Sequence, residues 1–360
     1  MSEKHKPVDN ISDDFSREQL DAFSTIMNVP DFILPWLSRF FEPREITFIL
    51  ELNQQHSANL GAHCFSEWIQ KNESNWPDDF LSRCYRRGVI SLDDAGIYIP
   101  ADFHVRYEFW ALFESWQDLP VEIKDRLNQW ELASFVDRKK PHIDAFKKSG
   151  IRDPSLVWPE YVLLDEALSL IRKVPHVYLW PCNCRAMMQG CSKPGFVCLR
   201  FDNDRNLGWE ISKERAREVL LEAHKKGLMQ SAEVGISPDG SIHGAICNCC
   251  SDCCYPVQLA NHLNEIRRYP LSRYVAFLHE ERCTTCGRCA GRCPFRAFAL
   301  SEKKSESGVS AKKQTHYDAD RCRGCGLCST TCPEGAIEMQ PLERSPLSIV
   351  SDILSTTNPS

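Results

Sequence analysis

The stretch that decides the fold reads CTTCGRCAGRCP at residues 283–294 and CRGCGLCSTTCP at residues 322–333. Each is a C-x2-C-x2-C-x3-C-P run, and the second repeats the first 39 residues further on. Soft thiolates suit iron in a tetrahedral sulfur field, and the short gaps let one loop wrap a compact cluster while its N–H groups point at the sulfurs. Three cysteines of such a run serve one cluster, and the fourth serves the cluster of the other run. The spacing therefore predicts two [4Fe–4S] clusters. Cys283, Cys286, Cys289 and Cys332 are assigned to cluster one, and Cys322, Cys325, Cys328 and Cys293 to cluster two. Zinc knuckles and ribbons do not use two full runs of this kind.

Through CTTCGRCAGRCPFRAFAL and CRGCGLCSTTCPEGAIEM, about residues 276 to 341 resemble the bacterial-type two-cluster ferredoxins. The resemblance implies a small pseudo-symmetric fold of paired strands and short helices that passes single electrons. The polar insertion SEKKSESGVSAKKQTH departs from a minimal ferredoxin. It reads as a solvated loop whose lysines suit an acidic partner.

The 360 residues, 42% of them apolar, allow two or three domains. A formal charge of −6 argues against a dominantly nucleic-acid-binding protein, and no apolar run approaches the roughly 18 residues of a membrane span. The opening MSEKHKPVDNISDDFSREQL has neither an apolar signal region nor a twin arginine, so a cytoplasmic protein is expected. Nineteen cysteines in such a chain point to metal ligation in a reducing, oxygen-poor setting and not to a disulfide scaffold.

The expected fold class is α+β and multidomain: a mainly helical, winged-helix-like N-terminal half, a cysteine-rich α/β middle module and a C-terminal two-cluster ferredoxin-like domain. Residues 1–30 are read as a tail and first helix, 31–150 as the winged-helix-like and helical region, 151–275 as the cysteine-rich module, 276–341 as the two-cluster domain and 342–360 as a tail. REQLDAFSTIM, PREITFILELN, AHCFSEWIQ and PDDFLSRCYRRGVI carry helical periodicity, and SLDDAGIYIP reads as a wing turning at Asp94, Ala95 and Gly96. DNA binding would use Arg83, Arg86 and Arg87 on phosphates. Between residues 30 and 100, however, six Lys and Arg face ten Asp and Glu, and an acidic module repels a duplex. Cys64 and Cys84 read as buried structural thiols, and Trp110, Trp116 and Trp130 as core. PEYVLLDEALSLIRK reads as an amphipathic helix preceded by Pro159, and HVYLW as a strand leading to more cysteines.

That second group holds Cys182, Cys184, Cys191, Cys198, Cys247, Cys249, Cys250, Cys253 and Cys254. Between its two halves lie a helix, SKERAREVLLEAHKK, with Ser212 and Gly227 as caps, and a hairpin turning at PDGS, which together bring PCNCRAMMQGC and CNCCSDCC into proximity. Neighbours such as Cys249 and Cys250 cannot both point inward from one regular element, so some of the nine serve different metals or stand behind the ligands. One or two additional iron–sulfur clusters, a zinc site or a reactive thiol pair all remain open. Arg185 is placed to donate to cluster sulfurs or to an anion. PCNCR, KKGLM and AICNCCSDCCYP, with the terminal module, resemble a family of anaerobe iron–sulfur proteins in which a winged-helix-like region precedes this segment. The resemblance implies architecture more than activity.

No dinucleotide fingerprint, Walker loop, Ser-His-Asp or H-E-x-x-H spacing is present. The expected function is an iron–sulfur electron-transfer protein that relays single electrons to or from a partner oxidoreductase. The alternatives are a reductase with its active-site cluster or cofactor at residues 182–254, and an iron–sulfur redox-sensing regulator.

Overall fold

The computed structural model describes residues 11, 14–57, 76, 79–93, 95–114, 119–151, 156–188, 190–303, 312–342 and 348–355. They fall into two units, residues 1–131 with 205–207, and residues 132–204 with 208–360. The division lies within the long helix Val121–Ser149, ahead of the boundary expected at residue 150. The expected helix over 62–70 with Cys64, together with Trp116 and the wing residue Asp94, lies outside the described residues.

The first unit is helical because its polar residues cap and its aromatic residues converge. Helix Arg17–Met27 opens on a reciprocal cap between Ser16 and Gln19 and ends at Asn28 in the left-handed region (φ 54°). A 3-10 segment, Asp31–Arg39, accommodates Pro35 and leads into helix Pro43–Ser57. Phe23, Phe40, Phe41, Phe103 and Trp110 are buried together, with Phe40 and Trp110 rings 4.5 Å apart. Helix Phe80–Arg87 follows, and then the hairpin β1 (Ile90–Leu92) and β2 (Tyr98–Pro100). Asp93 Oδ1 accepts from the N–H groups of Ala95 and Ile97 and so fixes the turn.

Of the three arginines that duplex binding would use, Arg83 and Arg87 are held by carboxylates of their own unit, and Arg86 is exposed. Arg87 bonds Glu42 at 2.7 Å and pairs with Glu45 at 3.3 Å, and Arg83 reaches Glu42 at 3.3 Å. Buried Arg106, on helix Phe103–Phe113, forks onto Glu114 at 2.9 and 2.6 Å and donates to the Phe40 and Arg87 carbonyls. Cys84 is fully buried, and burial pushes its thiol up.

The second unit is organised by one antiparallel sheet in the order β3-β7-β8-β5-β4-β6: β3 Glu160–Tyr161, β4 Tyr178–Pro181, β5 Phe196–Arg200, β6 Trp209–Glu210, β7 Met229–Ile236 and β8 Ile242–Cys249. Glu160 and Tyr161, expected at the start of a helix, form strand β3 instead, and the helix runs only over Leu164–Lys173. Leu271 pairs with Glu160 in a parallel bridge, its N–H donating to the Pro159 carbonyl and its carbonyl accepting from the Tyr161 N–H, and that pairing outweighs the local helical period. Helix Lys213–Lys225 is capped by Ser212, with Gly227 (φ 84°) one residue past Lys226 at its other end. It packs beside Leu164–Lys173 over one sheet face.

Strand alternation divides the sheet chemically. In the registers Met229↔Cys249, Ser231↔Cys247 and Tyr161↔Ser231, cross-strand partners share a face. Gln230, Ala232, Ile246 and Asn248 take the helix-covered side, so Cys247 and Cys249 take the other with Tyr161. Past helix Tyr255–Leu263 the chain enters strands β9 (Tyr274–Leu278) to β12 (Ile337–Pro341). It then returns as helix Ile349–Ser355, whose Val350 and Ile353 are buried. The segment expected to be a terminal tail thus contains a packed helix.

Candidate metal centres

The duplicated sequence runs become a duplicated backbone. Each half runs from a strand through a 3-10 turn (Glu280–Arg282; Ala319–Arg321) and the cysteine run to a second strand. β9 pairs with β12, and β10 (Phe298–Lys303) with β11 (Lys312–Tyr317). The flanks of the polar insertion are therefore paired strands and not a solvated loop, with register Ser301↔Gln314 and Leu300↔Thr315. Gly287 and Gly326 share a left-handed φ of 74° and 75°, and Thr285 and Gly324 share one of 52° and 69°. Ala297 N–H donates to Cys293 Sγ and Ala336 N–H to Cys332 Sγ, each at 3.3 Å.

Two matched cavities result, one in each half. Cys283, Cys286, Cys289 and Cys332 line one, and Cys293, Cys322, Cys325 and Cys328 line the other. Buried Arg323 lines the second, and its Nε and Nη1 have no hydrogen-bond partner among the described residues. Burial raises the Cys325 thiol to about 12. A thiol this reluctant to ionise in the bare chain becomes a thiolate when a metal supplies the charge. The donor set, the matched cavities and the orphaned guanidinium donors all fit [4Fe–4S] clusters.

The middle module separates its nine cysteines into six and three. Cys182, Cys184, Cys254, Cys249, Cys247 and Cys198 form a closed ring in which each thiol neighbours the next. Contact with neighbouring sulfurs holds Cys182 and Cys247 low and Cys254 at about 5, and pushes Cys184, Cys198 and Cys249 up. Cys191, Cys250 and Cys253 stand apart as a second group, their sulfurs all within 4.8 Å of one another. Each adjacent pair is thereby split, with Cys249 and Cys254 in the ring and Cys250 and Cys253 in the triad. All described cysteines are free thiols.

Two buried side chains bind these groups to their surroundings. Arg185 donates from Nη2 to the Asn248 carbonyl at 2.6 Å, while its Nε and Nη1 lack partners among the described residues. Burial alone would lower this guanidinium, but Cys182, Cys198, Cys250 and Cys249 together hold it above its ordinary value. It lies within electrostatic reach of both sulfur groups. Tyr161 is fully buried in one apolar cluster with Cys249, Cys254, Val257, Cys325 and Leu327, and its hydroxyl has no partner among the described residues. Sequence periodicity assigned Tyr161 to a helix; its position is set by β3 pairing, which local pattern does not reveal.

The two-cluster domain is also keyed to the helix-covered side of the sheet. His224 contacts Gln230 Oε1 through Nδ1 at 2.8 Å and Thr330 Oγ1 through Nε2 at 2.7 Å. Gln230 Nε2 donates to the Leu228 carbonyl and to Asn248 Oδ1, so its oxygen is left to accept from His224 Nδ1–H, while the Thr330 hydroxyl lies within hydrogen-bond reach of both His224 Nε2 and the Leu327 carbonyl. Arg292 donates to the Lys225 carbonyl at 2.8 Å and to that of His224, which puts a cation on the C-terminus of helix Lys213–Lys225.

Residues 276–339 match the family described as the 4Fe-4S dicluster domain. The chain therefore carries a C-terminal ferredoxin-like iron–sulfur domain, binds [4Fe–4S] clusters and belongs to iron–sulfur electron-transfer chemistry, which implies a redox partner. No curated protein matches the chain. Among the described residues no helix is long and apolar enough to cross a membrane.

Proposed function

We propose that the chain is an electron relay in which the six-cysteine ring is a further, polynuclear iron–sulfur centre, in series with the dicluster domain and with a partner oxidoreductase. The observation that carries this reading is the shared apolar cluster, in which Tyr161 lies with Cys249 and Cys254 of the ring and Cys325 of the dicluster domain. When bound, iron–sulfur clusters take up and give up single electrons. The chain's part is to fix the separations and exclude water. Cys283, Cys286, Cys289 and Cys332 would hold one cluster and Cys293, Cys322, Cys325 and Cys328 the other. Backbone N–H groups of Ala297 and Ala336 stabilise two of these thiolates.

Two features favour a large centre in the ring. Six sulfurs neighbour one another in sequence around it, yet no three of them draw together within 4.8 Å. Arg185 brings a buried positive charge with two donors to spare. The pairing of Arg83 and Arg87 with carboxylates of their own unit favours a protein partner over a duplex for the N-terminal half.

Anaerobic iron and acid-sulfide analysis of the full chain tests the reading. The expected iron content exceeds the roughly eight atoms of two [4Fe–4S] clusters. In Cys184→Ser/Cys254→Ser it falls to about eight while the EPR signals of the reduced dicluster domain persist. A wild-type chain holding only about eight irons, unchanged in that variant, would overturn it.

A further inference from the structure

The nine middle-module cysteines differ in spacing as well as in partners, and the spacing separates two kinds of metal chemistry. In a mononuclear tetrahedral site, thiolates about 2.3 Å from one ion stand about 3.8 Å from each other. In a cubane each thiolate takes a different iron at a different corner, so the sulfurs lie farther apart. Among the described residues, Cys191, Cys250 and Cys253 are the one group of three Cys, His, Asp or Glu whose donor atoms all lie within 4.8 Å, and Cys191 and Cys250 sulfurs are 3.9 Å apart. The dicluster cysteines, which supply an internal standard for cluster ligation, do not converge in this way.

Local structure supports the same distinction. Cys250 and Cys253 form a C-x2-C knuckle in which the Cys253 N–H donates to Cys250 Sγ at 3.3 Å. The Gly190 N–H in turn donates to Cys253. Cys250 and Cys253 are buried and Cys191 is half-buried, so the group has one side toward solvent. Cys191 comes from the segment after helix Asn183–Met188 and the other two from the loop after β8, so an ion here would tie two distant stretches together.

We propose that Cys191, Cys250 and Cys253 form a mononuclear zinc-class site, separate from every iron–sulfur centre, with three protein thiolates and a fourth position taken from solvent. Such an ion replaces three thiol protons and cross-links residues 191 and 250–253.

The test uses anaerobically purified full-length protein. Elemental analysis is expected to give one zinc per chain alongside the iron. Zinc-edge X-ray absorption is expected to give about three sulfurs near 2.3 Å and one lighter atom. Cys191→Ser/Cys253→Ser is expected to lose that zinc while keeping its iron, acid sulfide and EPR spectrum. Loss of about four irons from this variant would overturn the site by assigning the triad to a cluster. So would a wild-type protein that takes up no zinc when refilled anaerobically, or a zinc spectrum with four sulfurs or none. Iron and zinc are counted separately, so failure of the relay reading and failure of this site are distinguishable.

Discussion

Cys249 and Cys250 are consecutive in the chain and belong to different sulfur groups, the first in the six-membered ring and the second in the triad. Cys249 is the last residue of β8 and shares a face with its cross-strand partner Met229. Past the strand the chain turns, and Cys250 Sγ stands 3.9 Å from Cys191 Sγ. One peptide unit thus separates two sulfur groups, with Arg185 in reach of both.

Removing that guanidinium leaves the sulfur charge without its buried counter-ion. Arg185→Met is expected to destabilise the second unit by about 3–5 kcal/mol, the range for breaking a buried pair. Arg185→Lys, which keeps the charge but not the planar fork, is expected to recover part of the loss. Anaerobic denaturant titration measures both; equal stability of Arg185→Met and wild type would contradict the assignment.

The Tyr161 hydroxyl finds no hydrogen-bond partner among the described residues, whereas its ring packs with cysteines of both groups. Tyr161→Phe is expected to change stability by less than about 1 kcal/mol, because it removes only an unsatisfied group. Tyr161→Ala opens a cavity and is expected to cost about 3–5 kcal/mol. Melting temperatures of the two variants, compared side by side, decide whether ring or hydroxyl matters.

Thr285 holds a φ of 52° at the place where the second half has Gly324. A left-handed β-branched residue costs about 1–2 kcal/mol, and glycine returns part of that by its greater freedom in the unfolded chain, about 0.5–1 kcal/mol. The first term is larger. Thr285→Gly is therefore expected to stabilise the dicluster domain by up to about 1 kcal/mol, and a lower unfolding midpoint would refute the comparison of halves.

Burial lowers the His224 imidazole from its ordinary 6.5, with Arg292 adding to the effect and Gln230 opposing it. The folded state keeps the ring neutral, so between 6.5 and the lowered value the unfolded chain binds more protons. The contribution of His224 is complete above pH 6.5, and it is lost as pH falls through the folded-state value. His224→Gln is expected to flatten the decline of stability below pH 6.5. An unchanged slope would mean that another group controls that range.

The dicluster half was legible because cluster ligation fixes cysteine spacing within a single loop, and the capped helix at Ser212 and the turn at Asp239 and Gly240 were legible because their chemistry is local. The partition of the middle cysteines was not. It depends on which strand neighbours Cys198 and Cys247 acquire and on how the chain turns after Cys249, both settled by long-range pairing. Glu160 and Tyr161 misled for the same reason: Leu271 and β7 hold them as strand within an otherwise helical pattern. The 3-10 segment around Pro35 and the paired flanks of the polar insertion likewise leave no periodic trace.

Arg292 neighbours a cysteine in one module and seals a helix in the other. The joint between them therefore has no slack: loosening the loop around Cys293 withdraws the plug from Lys213–Lys225 and, through Thr330, frees His224. Modules coupled so closely should melt as one cooperative block, with the loss of iron in one announced by unravelling in the other.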